Sequence, residues 1–152
     1  MTTRKEATHP RVRSENMLWS RRARDPMARL LIVDDSASVR KLVRAHLRGL
    51  DCTFEEASNG AEGLKALSKS RFDLIIIDLM MPVMDGVTML RMKDSMQDTT
   101  SVILLTAEVS DTLSQAMTSP CVMEYLRKPI VPNALQIAVR QVLALQSESA
   151  SG

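Results

Sequence analysis

Three uninterrupted apolar runs stand out along the chain: Leu30-Leu31-Ile32-Val33, Leu74-Ile75-Ile76-Ile77 and Val102-Ile103-Leu104-Leu105. Runs this short and this rich in β-branched residues fit strands buried on both faces of a parallel sheet. Cys52 to Ala57 gives a weaker strand pattern, and Val122 to Leu126 completes a set of five. Between the strands the apolar period lengthens to three and four. Val39, Leu42, Val43 and Leu47 share one face of a helix predicted over Ser38 to Gly49, with Ser36 as cap and Gly49 as stop. Ala61 to Lys69 reads as a second helix through Leu64 and Leu67, and Gly86 to Ser95 as a third through Val87, Met89 and Leu90. A short fourth helix falls between Asp111 and Thr118. The last opens near Pro132, a residue tolerated in a first turn, and runs to about Gln146.

Five strands alternating with five helices predict an α/β fold, a doubly wound parallel sheet with helices on both faces. Right-handed crossovers bring the carboxyl ends of all strands to one edge, where such folds place their sites. Residues 1–28 show no sustained apolar period and carry Pro10 and Pro26, so they are expected to be a disordered basic extension. Residues 29–146 form the folded domain, and residues 147–152 are expected to be a short polar tail with no room for an output module.

Composition narrows the function classes. The net charge is +2, but residues 1–28 carry seven Lys/Arg against three acids, and the remaining residues thirteen against fifteen. The basic balance therefore belongs to the extension, and with little aromatic interleaving beyond Trp19 no nucleic-acid partner is expected. Apolar runs are too short to span a bilayer, and no signal-peptide pattern opens the chain. No membrane partner and a cytoplasmic location are the expectations. Cys52 and Cys121 form no C-x-x-C motif and read as reduced structural thiols. The eleven methionines read as packing residues among scarce aromatics.

Candidate chemistry gathers at the carboxyl edge. Asp34-Asp35 closes the first strand, Asp78 the third and Thr106 the fourth, while Lys128 follows the fifth. Carboxylates at ~4 Å in an effective dielectric of ~20 repel by about 4 kcal/mol per pair. Such a cluster raises a carboxylate pKa or recruits cations. Lys128 offers one positive charge, and Mg²⁺ suits the remainder because it takes one or two carboxylates together with phosphate oxygens. Beside a cation and a lysine, Asp78 is placed as a nucleophile toward phosphorus, and the Thr106 hydroxyl could donate to the bound group. Singly, each residue has a plainer reading: Asp35 as a helix cap, Thr106 as a strand residue, Lys128-Pro129 as strand punctuation.

The segments Leu31-Ile32-Val33-Asp34-Asp35-Ser36, Asp78-Leu79-Met80-Met81-Pro82-Val83-Met84-Asp85-Gly86, Leu105-Thr106-Ala107 and Tyr125-Leu126-Arg127-Lys128-Pro129 resemble the response-regulator receiver family (CheY-like) of two-component signalling. The resemblance covers residues 29–146 and implies a flavodoxin-like strand order 2-1-3-4-5. It implies that Asp78 accepts a phosphoryl group from a sensor histidine kinase or histidine phosphotransfer protein. Asp34, Asp35, Asp78 and the Met80 main-chain carbonyl would ligate Mg²⁺, and Thr106 and Lys128 would contact the phosphoryl oxygens. Thr106 and Tyr125 would form the switch, Met80 and Glu108 would tune phosphoryl lifetime, and Lys128-Pro129 would be cis. A receiver of this kind is a phosphoacceptor that catalyses only its own phosphorylation and dephosphorylation. With no output module expected, the signal would pass to a downstream target protein, in a chemotaxis-like, phosphorelay or phosphate-sink role. One departure is Ser119-Pro120-Cys121, where receivers commonly carry Gly-Ala; Pro120 should end the fourth helix early.

The nearest enzyme alternative is a Mg²⁺-dependent aspartyl-nucleophile phosphatase of haloacid-dehalogenase type. That class needs a second Asp two residues after the nucleophile, where this chain has Met80. A flavin-binding module would need a phosphate-cradling loop after the first strand, where Asp34-Asp35 would repel phosphate. No Walker or G-x-G-x-x-G motif occurs.

Overall fold

The computed structural model describes residues 27–107 and 109–151. Of the extension expected over residues 1–28, residues 1–26 lie outside them, while Ala28 belongs to the first strand, where its N–H donates to the Asp51 carbonyl at 2.8 Å. Five strands, β1 (Ala28–Val33), β2 (Cys52–Ala57), β3 (Leu74–Asp78), β4 (Ser101–Thr106) and β5 (Val122–Arg127), alternate with five helices. The helices are α1 (Ala37–His46), α2 (Gly60–Lys69), α3 (Gly86–Ser95), α4 (Asp111–Ala116) and α5 (Pro132–Ser151). The sheet is wholly parallel in the order β2-β1-β3-β4-β5, the order the family resemblance implied.

Period-two alternation divides the core between the two faces of the sheet. Leu31, Val33, Ile75, Ile77, Val102 and Leu104 pack against α2, α3 and α4 through Ala66, Val87, Met89, Leu90 and Leu113. Leu30, Ile32, Leu74, Ile76, Ile103 and Leu105 pack on the other face against α1 and α5 through Val43, Leu47, Leu135, Val139 and Val142. Covering both faces is what requires the uninterrupted apolar runs. Each fully buried Leu or Ile contributes about 1.5–3 kcal/mol of transfer free energy before ordering costs are subtracted.

Capping fixes where the helices begin. Ser36, Asn59, Asp85 and Ser110 each accept the N–H three residues on, at Val39, Glu62, Thr88 and Leu113, which satisfies one orphan donor per helix. Helix α1 ends at His46, with Gly49 in the left-handed region at φ 98°, a conformation that Gly adopts without strain. Helix α4 stops at Ala116, short of Pro120. There Ser119 donates its hydroxyl to Asp94 at 3.2 Å, and a register shift in β5 leaves Met123 unpaired between Val122 and Glu124. The unusual segment thus sits where β5 begins, at the opposite end of that strand from Lys128.

Helix α5 continues to Ser151, beyond the Gln146 end that the apolar period suggested. Residues 147–151 carry no periodic apolar signal, yet a helix already formed propagates at small cost through Ser, Glu and Ala. Gln146 also donates to the Asp73 carbonyl at 2.6 Å, tying the helix to the loop before β3. No described helix is long and apolar enough to cross a membrane.

Lys93 on α3 is a charged residue with no solvent exposure. Its ammonium donates to the Asp98 carbonyl at 3.0 Å and lies 3.5 Å from the Asp98 carboxylate. The apolar period of α3 does not announce it; the loop that follows supplies its partner.

Candidate functional site

The strand order reverses at β1, since β2 lies on one side and β3 on the other. The crevice beyond these strand ends receives Asp34, the residue after β1, and Asp78, the last of β3. Both are almost wholly buried, while Asp35 is exposed. One carboxylate oxygen from each of Asp34, Asp35 and Asp78 lies within 4.8 Å of the others. Lys128, delivered by the turn after β5, places its ammonium 3.1 Å from Asp34 Oδ2 and 3.5 Å from Asp78 Oδ2. Four residues spread over more than ninety positions thus meet at one edge.

Local hydrogen bonds fix the carboxylates. The Ser36 N–H donates to Asp34 Oδ1 at 2.9 Å, and the Met80 N–H donates to Asp78 Oδ1 at 3.3 Å. Burial first, and then the neighbouring Asp34 carboxylate, push Asp78 above its ordinary range. The Lys128 ammonium and the Met80 N–H pull partly the other way. The outcome is a carboxylate with little solvation and an ammonium 3.5 Å away.

Thr106 is buried at the end of β4, one position beyond Leu105, the register partner of Asp78. Its carbonyl accepts the Lys128 N–H at 2.7 Å, joining the two loops. The Lys128-Pro129 bond is cis, as the resemblance implied. Tyr125 is half-buried and packs on the α2–α4 side of the sheet, outside the carboxylate cluster. Met80 is exposed beside the cluster, and Glu108 lies outside the described residues.

The chain matches the response regulator receiver domain family over residues 30–140. The chain belongs to this family. The receiver is 36% identical over 116 residues to the transcriptional regulatory protein GlrR of Escherichia coli K12, covering 76% of this chain and 26% of GlrR. It is 31% identical over 121 residues to the transcriptional regulatory protein ResD of Bacillus subtilis, covering 80% of this chain and 50% of ResD. It therefore spans a quarter to a half of these curated relatives. Among solved structures, the chemotaxis response regulator CheY4 of Vibrio cholerae superposes with a TM-score of 0.66 at 35% identity, over 76% of this chain and 98% of that one. A signal receiver domain of an HD domain-containing protein from Pseudomonas fluorescens Pf-5 gives 0.75 at 28%, over 80% and 98%.

Two parts of the receiver's crevice were not marked by sequence reasoning. Gly86 opens α3 directly against β3, where an added Cβ would lie 2.7 Å from the Asp78 carbonyl and 2.8 Å from Leu79 Cα. Both are main-chain atoms, so the helix must move. We predict that Gly86→Ala lowers stability by about 1–3 kcal/mol, read as a lower urea midpoint at unchanged m-value; an unchanged midpoint would contradict the close approach. The second is Arg40, whose guanidinium donates to the Asp34 carbonyl at 2.6 Å.

A separate open groove of about 740 Å³ lies between α1 and β2, lined by Lys41, Arg44, Arg48 and Phe54 among others. Its thiol, Cys52, is buried, and that burial pushes its pKa up, which disfavours the reactive thiolate.

Proposed function

We propose that this receiver takes a phosphoryl group onto Asp78 from a phosphohistidine on a sensor kinase or phosphotransfer protein, and signals through protein contacts that depend on the phosphoryl group. The observation that carries this reading is the convergence of three carboxylates with the Lys128 ammonium 3.1 and 3.5 Å from two of them. In the transfer, an Asp78 carboxylate oxygen forms the bond to phosphorus as the phosphorus–nitrogen bond breaks. The electron pair returns to the departing imidazole nitrogen. Lys128 stands where it can meet a phosphoryl oxygen, and the Thr106 hydroxyl would donate to another.

The donor set suits a hard divalent cation, because three oxygens gathered within 4.8 Å leave further octahedral positions for water and phosphate. Asp34, Asp35 and Asp78, with the Met80 main-chain carbonyl, would hold Mg²⁺. Bound there, the ion would offset charge on the transferring oxygens. In the same reading Thr106 and Tyr125 relay the change to the surface formed by α4, β5 and α5, while Met80 and Glu108 set phosphoryl lifetime. The protein acts in the cytoplasm as a signalling phosphoacceptor, neither on nucleic acid nor at a membrane. Since GlrR and ResD are longer transcriptional regulators, a second reading has the same receiver governing an attached output. The haloacid-dehalogenase alternative is not carried forward, because the chain belongs to another family.

The test is incubation with Mg²⁺ and a small phosphodonor such as acetyl phosphate, followed by intact-mass measurement. The expected result is gain of one phosphoryl group, lost on adding a chelator. A chain that stays unmodified with Mg²⁺ present would refute the reading.

A further inference from the structure

Arg40, in the first turn of α1, joins three pieces of the fold. Its Nη1 donates to the Asp34 main-chain carbonyl at 2.6 Å, and its Nε donates to Glu56 Oε1 at 2.7 Å. The other Glu56 oxygen accepts from Arg44 Nη1, also at 2.7 Å. Glu56 is the penultimate residue of β2 and lies in register with Ile32. One planar fork thus fastens the β1–α1 turn to the neighbouring strand, a use of its fixed donor geometry that an ammonium could not reproduce.

Asp34 is tied at four points. Its N–H donates to the Ala57 carbonyl at 3.1 Å, its carbonyl accepts from Arg40, Oδ1 accepts from Ser36 and Oδ2 faces Lys128. A cation entering the cluster draws on side-chain oxygens that already accept from Ser36 or face Lys128, so the side-chain ties are the ones it perturbs. The main-chain ties then keep the residue in place, and Arg40 supplies the one that comes from a side chain.

We infer that Arg40, oriented by Glu56, is a positioning residue that presets Asp34 for cation binding. This rests on reading Asp34, Asp35 and Asp78 as a Mg²⁺ site. Glu56 has two tasks. It holds the guanidinium turned away from the carboxylates, and it neutralises a charge that would oppose a divalent ion. With a neutral residue at position 56, Arg40 is free to turn toward Asp35, which is exposed on the same turn and has no ion-pair partner among the described residues. That pairing would engage the Asp35 carboxylate and bring a positive charge beside the site, both of which oppose cation binding.

The experiment is a Mg²⁺ titration of the full chain followed by amide chemical shifts at Asp34, Asp35 and Asp78, with thermal midpoints measured in chelator. Arg40→Met, which keeps the aliphatic stem, and Glu56→Gln are each expected to raise the Mg²⁺ Kd about tenfold, the usual loss when a ligand's supporting partner is removed. Arg40→Lys recovers only part of the affinity. Metal-free midpoints should stay within a few degrees of wild type, so a general loss of stability is separable from a loss of positioning. Wild-type affinity in either Arg40→Met or Glu56→Gln overturns the inference. Absence of Mg²⁺-dependent shifts in the wild-type chain itself defeats the underlying reading instead, and is seen in a different arm.

Discussion

Asp78→Asn is expected to take up no phosphoryl group from acetyl phosphate with Mg²⁺, and without the ion to melt above the wild type. The first result follows because the amide nitrogen is a poor nucleophile toward phosphorus and the amide carries no negative charge. The second follows from the environment of Asp78. Burial and the Asp34 carboxylate raise its pKa above the ordinary value of 3.8, so the folded state holds this proton more tightly than the unfolded chain does. Ionisation is therefore penalised in the folded state. The penalty is absent below the unfolded pKa and complete above the folded one, so wild-type stability falls as pH rises through that window. Asn has no such slope. The gap in Tm between Asp78→Asn and wild type should open with rising pH from the ordinary carboxylate range and be widest above the raised folded-state value. Intact mass and thermal scans across pH check both halves. A phosphorylated Asn variant would remove Asp78 as the acceptor, and a gap that narrows with rising pH would contradict the strain assigned to it.

Lys128→Met is expected to slow phosphoryl uptake about a hundredfold or more while leaving Asp78 in place. Its ammonium faces two nearly buried carboxylates at 3.1 and 3.5 Å, where fixed positive charge is worth more than in water, and deletion of one preorganised group of this kind costs about 10²–10³ in rate. The metal-free fold should suffer too. Removing the only cation recorded at these oxygens among the described residues leaves Asp34 and Asp78 facing each other, at a cost of about 1–3 kcal/mol, below the upper range for breaking a buried pair because the lysine is 24% exposed. Mg²⁺ supplies replacement charge, so it should raise Tm more in Lys128→Met than in the wild type. Uptake rates from a time course and paired thermal scans with and without Mg²⁺ decide it. Equal rates in the two proteins would show that Lys128 contributes nothing to the transfer.

The strands and the acidic pair were legible for the same reason. A strand covered on both faces must be apolar throughout, so Leu74-Ile75-Ile76-Ile77 declares itself, and the first carboxylate after such a run falls at the sheet edge by topology. Arg40 was not legible. An arginine on a helix is ordinarily a solvated charge, and its partner Glu56 comes sixteen positions later, on a different strand. Gly86 was visible only as the start of a helix, because nothing in the chain says that the helix opens against the main chain of Asp78. The extent of α5 was missed because Ser147 to Ser151 lack an apolar period, although helix propagation does not need one. Lys93 escaped since a buried ammonium depends on a carbonyl five residues on, brought round by a loop.

By itself, the sequence determined the alternation of strand and helix, the five parallel strands with their carboxyl ends together, and the candidates Asp34, Asp35, Asp78, Thr106 and Lys128. These follow from periodicity and connection rules, which are local in the chain or general to the fold class. Only the tertiary structure decided that Lys128 reaches both Asp34 and Asp78, that Tyr125 packs away from the carboxylates, and that Arg40 and Glu56 fasten the turn carrying the acidic pair. Those facts depend on distances between segments far apart in the chain. A periodic pattern tells which face a residue occupies, and the packing of whole elements sets how close two such faces come.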